Sequence, residues 1–281
     1  MSLKRGKGQV TIFVVVAILI VAAVVVFAVI KPGFVKPIVS KEEAEKIVST
    51  QLQPIKELQE KCIKQTSMVF FDRIGAQAGY YDYSTFQTVN FAGDKVIVAY
   101  KTNGQWNNEL AGIDKVRDEF DAFMKTEGYG LVDACTKNFA DAKKVLDDVV
   151  YDKNTRKISA EVHNEDVTIV PDWPLTVKRG DAISVIEPSN STILIPLGRI
   201  LWVASDVIKI ETVDGKDFSG GTYDNYFSVY QNPKSPPYGR AFKIDVQRPN
   251  YENNQKIYYV HSTPYRLNEK EFYFYFVIDF N

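Results

Sequence analysis

Two cysteines, two histidines and three tryptophans are the residues of this chain best equipped for chemistry, and their spacing limits what that chemistry could be. Cys62 and Cys135 have no Cys-x-x-Cys partner and no neighbouring histidine, so they do not build a zinc site. On the oxidising side of a membrane they would close a loop of roughly 70 residues as a disulfide, worth on the order of 4 kcal/mol. In a reducing compartment they would be two buried thiols.

His163 and His261 both fall at the ends of β-like runs, and no Gly-x-Ser-x-Gly elbow positions a nucleophile for either. There is no phosphate-binding or dinucleotide glycine loop, and Gly220-Gly221 stands alone. Asp214, Asp217 and Asp224 do not follow the spacing of a calcium-binding loop, so they read as solvated turn acids. Trp106, Trp173 and Trp202 could stack on sugars, although aromatics at strand spacing are more often core. Asn190-Ser191-Thr192 is the one Asn-x-Ser/Thr sequon and makes Asn190 a candidate glycosylation site. The expectation is a protein that is not an enzyme, with no catalytic residue, no metal site and no cofactor. A formal net charge of -1 gives no basic face for nucleic acid.

Val10–Ile30 is an unbroken apolar stretch in which only Thr11 is polar. About 20 such residues in a helix cross a bilayer's ~30 Å hydrocarbon core, so the stretch is expected in a membrane. Lys4, Arg5 and Lys7 precede it, while Lys31, Lys36 and Lys41 follow, which favours a cytoplasmic N-terminus by a small margin. With 45% hydrophobic and 25% charged residues, the remainder is expected to fold.

The opening MSLKRGKGQVTIF, a short basic stub, then Lys7-Gly8-Gln9, then an apolar helix, resembles the class III signal of archaeal type IV pilins and archaellins. That resemblance implies peptidase cleavage between Gly8 and Gln9, with the helix left at the mature N-terminus. Phe13 stands where many bacterial pilins carry a glutamate, and Lys31-Pro-Gly-Phe-Val-Lys-Pro37 should interrupt a helix running on from the membrane. A Gly79-Tyr80-Tyr81 helix end, the run Pro174–Asp181 and the terminal Phe-x-Phe strand together resemble membrane-anchored proteins of small-genome symbiotic archaea, which offer no activity to carry over.

The fold class expected is α+β: an N-terminal transmembrane helix, amphipathic helices and a mostly antiparallel β ectodomain. The chain divides into a basic leader (1–8), the membrane helix (9–31), a linker (32–40), a helical region with a β-hairpin (41–144) and a β-rich region with one helix (145–281). Ser40, followed by Glu42 and Glu43, should cap a helix carrying Val48, Leu52, Ile55, Leu58, Cys62, Thr66 and Val69, which Pro54 divides in two. A hairpin is expected around Ala92-Gly93-Asp94. A second helical stripe runs from Ile113 to Phe139, kinked near Gly128 and Gly130. Period-two runs from Val145 to Ile186 predict an antiparallel meander, Ile195–Ile210 a third helix, and Asp214-Gly215 a turn. Residues 232–239 read as an exposed linker. Glu271–Phe280 is apolar on both faces, so it should be a central strand.

These expectations converge on a pilin-like, membrane-anchored cell-surface protein that serves as a filament or adhesion subunit. Its partners would be membrane lipid, other copies through the N-terminal helix, and another cell or a glycan surface. It would be single-pass with an extracellular body. The alternative is a single-span envelope protein whose ectodomain binds a soluble ligand or partner.

Overall fold

The computed structural model describes residues 40–91, 93–101, 110–212, 221–222, 243–247, 254–267 and 270–280. Gly8, Gln9, the apolar stretch, Trp106, Asp214, Gly215, Asp217, Gly220, Asp224 and the 232–239 linker lie outside them. Among the described residues no helix is long and apolar enough to cross a membrane.

The spine of the molecule is α1 (Lys41–Ala76), 36 residues capped by Ser40, whose hydroxyl accepts the Glu43 N–H at 3.3 Å. Glu42 and Glu43 lie in the first turn, where acids complement the positive end of the helix dipole. Contrary to the expected division, the helix runs through Pro54. Proline removes the hydrogen bond to the carbonyl of Thr50, but both residues lie on the solvent side, where water can take that carbonyl.

The buried stripe also differs from the one anticipated. Val48, Ile55, Cys62 and Thr66 are inside, whereas Leu58 and Val69 face solvent and Gln59, Ile63, Phe70, Phe71 and Ile74 are buried instead. Val48, Ile55, Cys62 and Val69 keep a strict seven-residue repeat. A straight helix drifts by about 20° per seven residues, so by the third repeat the inward position has moved from Val69 to Phe70.

Along the chain follow β1 (Thr88–Phe91), β2 (Asp94–Lys101), α2 (Ile113–Phe123), α3 (Tyr129–Thr136), β3 (Asp148–Val150), β4 (Lys157–Val162), β5 (Val167–Asp172), β6 (Leu175–Arg179), β7 (Ala182–Ile186), β8 (Ser191–Ile193), α4 (Leu197–Thr212), β9 (Gly221–Thr222), β10 (Lys243–Gln247), β11 (Gln255–Leu267) and β12 (Lys270–Asp279). The fold is α+β, and among the described residues the sheets are antiparallel at every pairing but one. The anticipated hairpin is present: Phe91 pairs with Asp94 across a two-residue turn, and Gly93 has φ +96°. The kink between α2 and α3 is a π-helical turn, Met124–Gly128.

The strands from 148 to 193 do not form one meander. β4 and β5 close a hairpin and add β8, while β6 and β7 close a second hairpin whose other neighbour is β3. Pro174 separates the two hairpins, since a residue without an N–H cannot extend a ladder from β5 into β6.

The largest sheet has the order β1-β2-β12-β11-β10-β9, which puts the last strand in its interior. Phe272, Phe274, Phe276 and Ile278 join the main core with residues of α1 and α4, and Val277 packs on the opposite face with Val96, Val98 and Ile257. The pairing of β12 with β2 is the parallel one, Val277 opposite Val98. That pairing joins the ranges 41–144 and 145–281 in one sheet.

Candidate functional site

Cys62 lies in the middle of α1 and Cys135 in the last turn of α3, and their sulfurs are at bonding distance, 2.04 Å, with Cα atoms 5.7 Å apart. The two helical stripes anticipated from the sequence are therefore joined covalently. Cys62 is fully buried, but Cys135 belongs to an exposed stretch of α3 rather than to its apolar face. α3 is short and ends at Lys137, which adopts a left-handed conformation, so Cys135 sits at the rim where the helix leaves the core.

Next to this junction is a cluster that no sequence motif announced. The Arg156 guanidinium lies over the rings of Tyr129 at 4.3 Å, Trp173 at 4.9 Å and Tyr151 at 5.8 Å, and pairs with Asp133 at 2.8 Å. Such stacking on ring faces is favourable for a desolvated cation. The Tyr151 hydroxyl donates to the same carboxylate at 3.0 Å, and burial together with Asp133 pushes its pKa up to about 12. Trp173 is fully buried and its carbonyl accepts the Gln59 side-chain amide at 2.7 Å. This aromatic cage is filled by the chain's own arginine and locks β4, β5 and α3 onto α1, so Trp173 has no ring face to offer a sugar. Trp202, on α4, is 46% exposed.

The histidines are not brought together into one site. His163 is exposed at the end of β4, 3.8 Å from Glu161. His261 is buried in β11, 3.4 Å from Glu271 and stacked on Tyr273, whose pKa its bond to Glu271 raises to about 12. Asn190 is exposed in the connection between β7 and β8, a short loop held by the Ser189 N–H donating to Glu60 at 2.7 Å. The sequon is thus presented to solvent on a fixed backbone. Gly8 and Gln9 lie outside the described residues.

An open cleft of about 450 Å³ between α2 and β4 is lined by Asp114, Arg117, Asp118, Asp121, Lys157, Ser159, Ala160 and Glu161. The signal for half of it was present: 114, 117/118 and 121 recur on one helix face opposite Val116, Phe120 and Phe123. Which strand would face them depended on the sheet order and was not legible. Asp114 is answered by Arg117 at 2.9 Å, so the lining carries charges of both signs. Among the described residues no group of histidine, cysteine, aspartate and glutamate is arranged to hold a metal ion. Comparison with known protein families, with curated proteins and with solved structures returns no match.

Proposed function

We propose that this chain is a pilin-like, membrane-anchored cell-surface protein whose α+β body is presented outside the cell as a filament or adhesion subunit. The observation that carries this reading is the sequence Lys7-Gly8-Gln9 immediately ahead of the apolar stretch Val10–Ile30. Only ten residues separate that stretch from α1, which packs lengthwise against the sheets and forms the backbone of the body. Such an arrangement would deliver any load on the anchor straight into the longest helix. The cysteine pair supports an oxidising location, because disulfides persist on that side of the membrane. Function on this reading is mechanical: the apolar helix associates with lipid or with other copies, and the exposed loops meet another cell or a glycan.

Mass spectrometry of the protein purified from its native membrane tests the reading. A mature N-terminus at Gln9 is expected, and an intact Met1 would overturn the processed, pilin-like form. In that event a single-span envelope protein binding a soluble ligand is the better account, and the α2–β4 cleft is the feature that favours it.

A further inference from the structure

We infer that the β6–β7 hairpin rests on the bilayer surface along its outward face, with Ile183 and Val185 inserted among the lipid headgroups. The inference deepens the proposed function, since it rests on Val10–Ile30 being the anchor.

Three observations carry it. First, α1 and the β6–β7 hairpin lie side by side in opposite sense. Gly180, in the turn, lies against the Cβ of Ala44 near the helix start, while the Trp173 carbonyl, just before β6, meets Gln59. Fifteen helical residues advance about 22 Å, and seven strand residues about 23 Å, so the two elements match over their length. The β6–β7 turn is therefore at the end of the body from which the chain runs back toward the apolar stretch.

Second, the tether is short. Nine residues separate Ile30 from Ser40, and the ten steps between them, fully extended, reach at most about 36 Å. The β6–β7 turn cannot stray far from the membrane that holds the anchor.

Third, the hairpin that ends in this turn carries the apolar exposure that a lipid contact needs. Ile183 is 63% and Val185 58% exposed, on an edge strand of a three-stranded sheet. Val150 is also exposed, on the same outward face, because Val150 and Val185 both pair with Thr176. Val145 is exposed on the segment entering β3, which passes the turn where Asp147 accepts the Gly180 N–H at 2.6 Å. Isolated exposed aliphatics are ordinary, but Ile183, Val185 and Val150 share the outward face of the sheet, with Ile183 nearest the turn. The same face carries Lys178, opposite both Asp148 and Ile183, while Lys143 pairs with Asp148 and Lys144 with Asp141. The contact therefore does not call for anionic headgroups.

The experiment uses the full-length protein in phosphatidylcholine vesicles and in detergent micelles. Its own cysteines are bonded to each other, so a nitroxide can be attached to Ile183→Cys, Val185→Cys, Asp72→Cys near the far end of α1, or Ala22→Cys within the apolar stretch. Collision with oxygen, which partitions into lipid, is compared with collision with a water-soluble nickel chelate. On reconstitution, labels at 183 and 185 should lose nickel accessibility several-fold and gain oxygen accessibility, as expected for side chains roughly 5–10 Å below the headgroup boundary. The label at 72 should remain in water. If 183 and 185 stay fully accessible to nickel while 22 reports lipid, the docking is refuted and the anchor stands. If 22 is itself in water, the anchor fails and the docking falls with it.

Discussion

Gly75 is a residue at which the fold resists the addition of a single carbon. It lies inside α1, buried, where a Cβ would come 2.5 Å from the Tyr273 carbonyl oxygen and 3.0 Å from the Phe272 ring. Alanine would normally favour a helix by up to ~1 kcal/mol over glycine, but here it must push a central strand away. Gly75→Ala should therefore destabilise by about 1–3 kcal/mol, read as a lower urea midpoint with the slope unchanged. Tyr151 makes a second prediction at this scale. Its folded pKa of about 12 lies above the ordinary value of 10, so folding favours the neutral phenol. The unfolded chain ionises first as pH rises. Stability is therefore fully present below pH 10 and is lost as pH climbs toward 12. Denaturant titrations across that window should show the loss, and Tyr151→Phe should flatten it in part, with Tyr273 and the similarly raised Tyr81, Tyr129 and Tyr275 contributing to the remainder.

At the scale of elements, the bond between Cys62 and Cys135 ties α1 to α3 across a sequence separation of 73. Constraining a loop of that size in the unfolded chain is worth about 4 kcal/mol. The Cys62→Ala/Cys135→Ala double variant should lose stability of that order in urea, and reductant should move the wild type to the same midpoint while leaving the variant unmoved. Much of this level was legible beforehand. The helix cap at Ser40, the hairpin at Gly93, the kink near Gly128 and the helix after Pro196 all rest on local rules that neighbouring residues satisfy. What failed depended on partners far along the chain. Pro54 does not break α1 because it faces water, and the run 145–186 divides between two sheets because β6 finds β3. The Arg156 cage draws on α3, the β3–β4 connection and the β5–β6 connection, so no single stretch of sequence could display it.

At the scale of the whole molecule, α1 and β12 cross-brace every layer. α1 touches all three sheets, and β12 lies between β2 and β11. The alternation from Phe272 to Phe280 signalled a strand covered on both faces, and its interior position follows from that, because an edge would leave one row of hydrogen-bonding groups unpaired. Deleting residues 270–281 should remove the partner of both neighbouring strands at once and expose the core they cover. The truncated chain is expected to lose cooperative unfolding and near-ultraviolet circular dichroism altogether, rather than to show a lowered midpoint.

The same placement governs timing. The β1–β2 hairpin is made early in synthesis but meets its parallel neighbour only after some 170 further residues have followed. A chain whose residues 270–279 have not yet emerged is, structurally, the truncated one. The largest sheet therefore cannot close until β12 has emerged, however early its first hairpin was made.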